Sequence, residues 1–236
     1  MPGLRFHAIA HKPTVVLDMT SLTVDEFHPL VPVVEVAFQA YLVEWRLDGK
    51  PRTTRKPTIY KNCPLPTPED RLLFILVYLK TNPLQVAHGL MFGLPQGKAN
   101  QWIHVLLPRV QAALRQSGDA PRRSLDALAS EFTVPAAADL AALAPPFCHD
   151  GTERRIPRPQ NGAEQKSHYS GKKKCHTVKN LLLINVPLRI LFLRATTAGS
   201  VHDKRLADHT PYPLPVGSPL LQDRGFLGFK LVDVDT

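Results

Sequence analysis

Two aspartates are the first candidates for chemistry, because each stands beside residues that favour a turn. Asp150 precedes Gly151, and Asp223 precedes Arg224 and Gly225. Carboxylates are ligands that hard cations such as Mg²⁺ prefer, and a few from separate strand ends suffice for a site. A lone aspartate before glycine is more often a turn residue that bonds its own backbone. The residues alone leave both interpretations open.

A second group of polar residues lies on a predicted recognition helix. Thr67 caps a helix that is apolar nearly all round, a short helix follows at 84–92, Gly93 provides a turn, and a third helix spans 96–107. This order predicts a helix-turn-helix over 67–107. Amide side chains on the last helix can read adenine edges. The candidates are Lys98, Asn100, Gln101 and His104. A plain three-helix bundle with a polar face is the alternative.

Basic residues concentrate between 151 and 179, where eight Lys or Arg stand against two Glu. The whole chain of 236 residues carries a formal net charge of +9. Such a balance favours a polyanionic partner, because each neutralised phosphate releases condensed counterions. Charge runs are more often solvated faces. Double-stranded DNA is therefore the first candidate partner, but charge alone does not establish it.

Cysteine usage and hydropathy narrow the class of protein. Cys63, Cys148 and Cys175 are odd in number and never form a Cys-x-x-Cys pair, which argues against a disulfide framework and a zinc site. The longest apolar run, 72–79, is far shorter than the ~18 residues of a membrane span. We expect a cytoplasmic, nucleoid-associated protein without a membrane partner.

The remaining patterns predict the other elements. Residues 1–20 show no sustained periodicity, whereas apolar residues recur at helical spacing from Val34 to Trp45. Pro108 is expected to interrupt or kink the third helix. The short apolar runs 181–186 and 189–194 predict a pair of buried strands.

Proline and alanine between these regions suggest a domain boundary. We predict a helical region over 20–117, a connector over 118–145 with the boundary near 145, and a second domain over 146–236.

Five segments in order carry a family resemblance: LPTPEDRLLFILVYLK at 65–80, DGTERRIPRP at 150–159, YSGKKKCHTVK at 169–179, GSVHDK at 199–204 and LLQDRGF at 220–226. Together they resemble transposases of the DDE superfamily, of the Harbinger-like and related bacterial insertion-sequence type. Five ordered segments are far more specific than any one of them.

The resemblance implies a fold and a chemistry. The fold is α + α/β: an N-terminal helical helix-turn-helix region followed by an incomplete ribonuclease-H-like mixed α/β core, so that 146–236 is a partial endonuclease domain. The chemistry is DNA cleavage and strand transfer with a divalent cation, Mg²⁺ or Mn²⁺. Asp150 and Asp223 match the catalytic, metal-binding positions. Asp203 is a further metal candidate, although a helix cap or a supporting role is favoured.

The same resemblance implies DNA contacts. The basic stretch would flank the nuclease site, so Lys172, Lys173 and Lys174 are expected to touch the DNA backbone. The DNA would be the terminal repeats of the element, and self-association or association with an intact transposase is a further implied partnership.

The sequence departs from the family pattern at the third carboxylate. The family places a Glu well after the second aspartate, but no Glu follows Glu164, and only Asp233 and Asp235 lie beyond Asp223. The turn at 185–189 also lacks the usual Asp/Gly pair. We therefore expect a C-terminally truncated, catalytically incomplete chain. A DNA-binding regulator and a non-functional remnant of an insertion element are the alternatives.

Overall fold

The computed structural model describes residues 3–53, 63–133, 145–231 and 234. The chain divides into two compact units, Met1–Asp119 and Ala120–Thr236, and each unit has its own apolar core. None of the helices in these described ranges is long and apolar enough to cross a membrane.

Unit 1 is entirely helical in its described part. Its helices are α1 (Phe6–Ile9), α2 (Pro13–Thr20), α3 (Val24–Glu44), α4 (Pro68–Thr81), α5 (Gln85–Phe92) and α6 (Gln96–Gln116).

Helices α1 and α2 lie within residues 1–20, where the sequence shows no sustained periodicity. Phe6 stacks on Phe27 of α3 with ring centroids 4.4 Å apart, and Val16 is fully buried. The backbone N–H of Phe6 donates to Oδ1 of Asp70 at 2.8 Å. Short helices of this kind are held by packing rather than by intrinsic propensity, so their own sequence carries little periodic signal.

Helix α3 confirms the predicted amphipathic stripe but begins ten residues before it. Thr23 and Glu26 form a reciprocal capping box that fixes its first turn. Val34, Phe38 and Leu42 are buried, as the stripe predicts. Trp45 is excluded from the helix, which ends at Glu44.

Helices α4 to α6 confirm the predicted helix-turn-helix, with one correction. The hydroxyl of Thr67 caps α4, and Gly93 ends α5 with a φ of 72°. Helix α6 does not stop at Leu107 but continues through Pro108 to Gln116. A proline inside a helix costs ~3 kcal/mol, and burial of Val110 and of the residues around it offsets that cost.

Unit 2 is a mixed α/β fold. Its elements are α7 (Leu125–Phe132), β1 (Phe147–Arg155), α8 (Gly162–His168), β2 (Tyr169–Ser170), β3 (Cys175–Asn185), β4 (Ile190–Leu193), β5 (Thr197–Ala198), α9 (Asp203–Asp208), β6 (Leu220–Leu221) and a 3₁₀ helix (Arg224–Phe226).

The predicted connector overlaps this unit. Helix α7 lies within 118–145, and its Leu128 is fully buried in the core of unit 2. The division between units falls at Asp119 and Ala120 rather than near 145. The alanine-rich part of the predicted connector, 134–144, lies outside the described residues.

The sheet is built around β1 and β3. These strands run antiparallel, from Phe147 opposite Asn185 to Arg155 opposite Thr177. β4 and β5 pair antiparallel with the other edge of β3, β2 pairs with its start, and β6 runs parallel to β1. The predicted strand pair is confirmed as β3 and β4, but β3 begins at Cys175, six residues before its apolar run. The arrangement is the ribonuclease-H-like mixed α/β core that the sequence predicts.

The two faces of the β1–β3 pair differ, because successive side chains point to opposite sides. The core face packs against the rest of unit 2, and its positions are 147, 149, 151 and 153 of β1 with 179, 181, 183 and 185 of β3. The outer face carries Cys148, Asp150, Thr152 and Arg154 of β1 with Val178, Asn180, Leu182 and Ile184 of β3.

Candidate active site and nucleic-acid interface

Asp150 lies in β1, and Asp223 follows β6, the short strand that pairs parallel with β1. Cys148 of β1 pairs with Leu221 of β6, and each aspartate stands two residues further along its own chain segment. In a parallel pair, residues in register share a face. Both carboxylates are exposed to solvent, and both act on the pKa of His149, so the pairing carries them near the same buried histidine.

Each aspartate also accepts a hydrogen bond from a backbone N–H close by in the chain. Oδ1 of Asp150 accepts from the backbone N–H of Gly151 at 2.7 Å, and Oδ1 of Asp223 accepts from that of Gly225 at 2.8 Å. A Cβ on Gly225 would lie 2.9 Å from Oδ1 of Asp223, so glycine permits this close turn. The turn interpretation holds for Asp223, which caps the 3₁₀ helix, but not for Asp150, which lies inside β1. In both residues the local bond engages Oδ1.

His149 is a site residue that the sequence analysis does not identify. It lies between the two aspartate-bearing strands, almost fully buried, with its ring centroid 4.1 Å from that of Phe226. Its Nε2 lies 3.3 Å from Oε1 of Gln222. Burial lowers the pKa of His149, while Asp150 and Asp223 act in the opposite direction. The sequence did contain one indication that His149 is buried: it precedes Asp150 and stands two residues after Phe147, on the same face of the strand.

Asp203 occupies a different place from the one predicted. His202 is the cap residue of α9, and Asp203 is the first residue of the helix, so the prediction that Asp203 caps it is wrong. Its Oδ1 accepts from Nζ of Lys179 at 3.1 Å, and Lys179 also donates to the carbonyl of Val201 at 3.0 Å. A lysine side chain of β3, and not the backbone of the helix start, therefore holds the carboxylate.

Asp203 also lies on the opposite side of the sheet from Asp150. A Cβ built on Gly151 would lie 3.1 Å from Oδ1 of Asp203, so Asp203 covers the core face at that residue. Asp150 points to the outer face. The structure therefore brings Asp150 and Asp223 together but does not bring Asp203 to the same face.

The donor chemistry of the aspartate pair fits a hard divalent cation. Both side chains offer carboxylate oxygens, and in each only Oδ1 is engaged by a described residue. Within the described ranges, no group of three or more His, Cys, Asp or Glu residues is placed to hold a metal. Asp233 and Asp235, the last carboxylates of the sequence, lie outside those ranges.

The helix-turn-helix presents its polar residues unequally. Lys98 and His104 are exposed on α6, whereas Asn100 and Gln101 are half-buried. Nδ2 of Asn100 donates to Oε1 of Gln85 on α5 at 3.0 Å, and Nζ of Lys98 donates to Oε1 of Gln101 at 3.2 Å. The two amides are thus already bonded within the unit, and a base would either use their remaining donor and acceptor groups or displace these bonds.

The turn between α5 and α6 is compact. The N–H of Leu94 donates to the carbonyl of Gly89 at 2.7 Å, and a Cβ on Gly89 would lie 2.6 Å from the carbonyl oxygen of Leu94. A side chain at Gly89 would therefore push α6 away from α5.

The three consecutive lysines form the tip of a hairpin. Ser170 of β2 pairs with Cys175 of β3, and the residues between them are exposed. The N–H of Lys174 donates to the carbonyl of Ser170 at 2.8 Å, with Lys174 at a φ of 55°. The lysine turn, residues 172–174, is remote from Asp150: eight residues of β3 separate Lys174 from Leu182, or ~27 Å at about 3.4 Å per residue.

Two family comparisons match the two regions of the chain. Residues 149–234 match the family model described as DDE superfamily endonuclease, and residues 63–116 match the one described as helix-turn-helix of DDE superfamily endonuclease. No curated protein and no solved structure gives a match. The two matches, in this order along one chain, support a DDE transposase family, in which DNA is bound and then cleaved by a metal-dependent endonuclease domain.

Proposed function

We propose that this protein binds the ends of a transposable element through its helix-turn-helix and belongs chemically to the metal-dependent nucleases that cleave and join such ends. The observation that supports the proposal is the parallel pairing of β1 with β6, because Asp150 and Asp223 each follow a paired residue, Cys148 and Leu221, by two positions. Two adjacent exposed carboxylates at strand ends are the start of a Mg²⁺ or Mn²⁺ site. We also propose that the protein is of the Harbinger-like and related bacterial insertion-sequence type.

Each residue of the pair has a defined task. When bound, two divalent cations activate the attacking oxygen and stabilise the leaving oxygen. Asp150 and Asp223 would hold the cations through the carboxylate oxygens that the bonds to Gly151 and Gly225 leave free. His149 fills the space beneath the pair, and its lowered pKa keeps the ring neutral, so that it adds no positive charge next to the cations.

DNA recognition is divided between the two units in this proposal. Lys98, Asn100, Gln101 and His104 face the bases, with the Asn100 amide exchanging its bond to Gln85 for a base edge. The lysine turn neutralises backbone phosphates and carries no sequence information.

We further propose that residues 1–236 are catalytically incomplete. The family's third ligand is a Glu, and Glu164 is the last Glu of this sequence. The described residues hold two carboxylates at the site, and Asp203 supports the other face of the sheet. Two-metal catalysis needs both cations at a fixed separation, which two aspartates alone do not impose.

The alternative function is that of a DNA-binding regulator. It would occupy element ends without cutting them, alone, as a self-associated form, or together with an intact transposase. The observation in its favour is that the helix-turn-helix unit has its own closed core, independent of the sheet. Two packed cores also argue against an unfolded remnant without activity.

A metal titration separates these functions. We expect the wild-type protein to bind Mn²⁺, and the Asp150→Asn, Asp223→Asn double variant to bind it at least tenfold more weakly. Asp208→Asn is the matched control, because Asp208 is an exposed aspartate that pairs with Lys204 on α9. Equal Mn²⁺ affinity in all three proteins would refute the metal site and leave the regulator.

A further inference from the structure

Arg154 lies on the same face of the sheet as the aspartate pair. It follows Asp150 by four residues on β1, and the β1–β3 register is continuous over this stretch, so both side chains project from the outer face. The separation is ~14 Å at about 3.4 Å per residue. That length corresponds to about four steps of a DNA strand, which rises 3.4 Å per step.

The guanidinium of Arg154 is held in place by a buried amide. Its Nη2 donates to Oδ1 of Asn180 at 2.7 Å. Asn180 is 4% exposed, the one outer-face position of β3 that is buried, and its Nδ2 donates to the carbonyl of Arg194 and to Oγ1 of Thr196, both at 3.0 Å. Because its amide is bonded through both Oδ1 and Nδ2, Asn180 has a fixed orientation. Its bond to Nη2 therefore fixes the direction of the Arg154 guanidinium.

Arg154 has no acidic partner among the described residues to neutralise it. It is exposed, and none of the ion pairs between described residues includes it. A guanidinium has five N–H donors in a rigid fork suited to phosphate, and the bond to Asn180 uses one of them. A charged fork that is oriented in advance loses less side-chain entropy when it binds.

We propose that Arg154 is a positioning residue that grips a backbone phosphate and aligns the DNA strand between the aspartate pair and the lysine turn. This inference rests on the proposed function, because the aspartate pair defines one end of the track. Arg154 stands about midway: the track extends ~27 Å from Asp150 to the lysine turn along β3. Neither the charge run nor the motif alone distinguishes Arg154 from its basic neighbours.

Arg155 is the matched control. It is the adjacent residue, equally basic and exposed, but it projects from the opposite face of β1. Arg154→Gln and Arg155→Gln therefore make the same change in charge at adjacent positions. Both residues are exposed, and thermal unfolding of each variant checks that the fold is unchanged.

The test is the salt dependence of binding to a mixed-sequence DNA duplex, measured on residues 1–236 without divalent metal. Arg154→Gln is expected to weaken binding roughly tenfold at low salt and to reduce the slope of log K against log salt by ~0.9. Arg155→Gln should leave the slope unchanged. Arg154→Lys should restore the slope, because the charge is retained.

Two outcomes overturn the inference: an unchanged slope in Arg154→Gln, or an equal loss in Arg155→Gln. Asn180→Ala adds a readout of positioning, since it keeps the charge of Arg154 and removes its anchor; we expect weaker binding with an unchanged slope. Because this assay contains no metal, its result is independent of the Mn²⁺ titration. If the wild-type protein binds Mn²⁺ and the slope of Arg154→Gln is unchanged, only the Arg154 contact is refuted. If the wild-type protein does not bind Mn²⁺, only the metal site is refuted.

Discussion

Nζ of Lys179 lies 3.1 Å from Oδ1 of Asp203, and this ion pair fastens the start of α9 to the centre of the sheet. The lysine is nearly buried and the aspartate is about one quarter exposed. The carboxylate also covers Gly151, the residue after Asp150. The pair therefore supports β1 from the core face, directly behind the proposed metal site.

This arrangement predicts coupling between the two residues. Lys179→Met leaves a half-buried carboxylate without its partner and is expected to lower the free energy of unfolding by about 1–3 kcal/mol. A double-mutant cycle with Asp203→Asn should give a coupling energy near 1 kcal/mol. Denaturant unfolding measures each term. Strictly additive effects would show that the ion pair contributes nothing, and Lys204→Met, at the exposed pair with Asp208, serves as the comparison.

The buried His88 predicts a pH dependence of stability in unit 1. Its ring lies among Phe74, Tyr78 and Phe92, and neither ring nitrogen has a hydrogen-bond partner among the described residues. Burial lowers the pKa of His88 to about 4. The unfolded chain binds the proton near pH 6.5, so the contribution of His88 is fully present above that pH.

Below pH 6.5 this contribution is lost by about 1.4 kcal/mol per pH unit until the pH reaches about 4. We expect the difference in unfolding free energy between wild type and His88→Leu to show this slope. His104→Gln, which alters an exposed histidine of α6, should leave it unchanged. A flat difference between pH 7 and pH 4 would contradict the prediction.

Base recognition by α6 predicts a loss of discrimination rather than of affinity. Changing Asn100 and Gln101 to Ala should cost about 1–3 kcal/mol of preference for element ends per lost bidentate pair, at one fixed salt concentration. Gln111→Ala, at an exposed position of the same helix, is the control. Equal weakening on element-end and random DNA would refute base reading and favour the plain helical bundle.

The internal bond of Asn100 supplies a sharper variant of the same test. Gln85→Ala releases the Asn100 amide without removing it. If Asn100 exchanges Gln85 for a base, this change should leave discrimination intact or improve it, as competition for the amide is gone. A loss of discrimination in Gln85→Ala would indicate that the bond is needed to orient Asn100.

The lysine turn predicts a change in salt dependence. Replacing Lys172, Lys173 and Lys174 with Ala should reduce the slope of log K against log salt by up to ~2.7, at about 0.9 per phosphate contact. A triple change at three exposed basic residues outside the turn removes the same charge: Arg123, Arg205 and Lys230. Equal slopes in the two triple variants would assign the turn to a solvated surface.

Local signals predicted much of the fold. Thr67, Gly93 and the apolar run of α4 identify the helix-turn-helix, because caps and turns act over a few residues. Sequence patterns missed the passage of α6 through Pro108, since that helix depends on burial by other helices. They also missed the first six residues of β3, which hold no continuous apolar run: Cys175 and His176 pair with β2, and Thr177 to Asn180 pair with β1.

At the site, too, local signals identified residues, whereas long-range pairing could not be predicted. Motif order identified Asp150 and Asp223, but their adjacency depends on β6, a strand of two residues that no periodicity reveals. The partner of Asp203 is Lys179, more than twenty residues earlier in the chain, so a helix cap was the simpler local hypothesis. Long-range pairing, and not residue type, decides which carboxylates share a face.

Cleavage provides the last prediction. The site among the described residues has two carboxylates, and each already gives one oxygen to a nearby backbone N–H. Productive catalysis requires both cations at fixed positions, and errors near 1 Å can cost about 100-fold. We therefore expect residues 1–236 to bind DNA but to show no Mg²⁺- or Mn²⁺-dependent cleavage above the level of the Asp150→Asn, Asp223→Asn control. Robust cleavage that disappears in that control would show that Asp233, Asp235 or a second subunit supplies the third ligand, and catalytic incompleteness would be wrong.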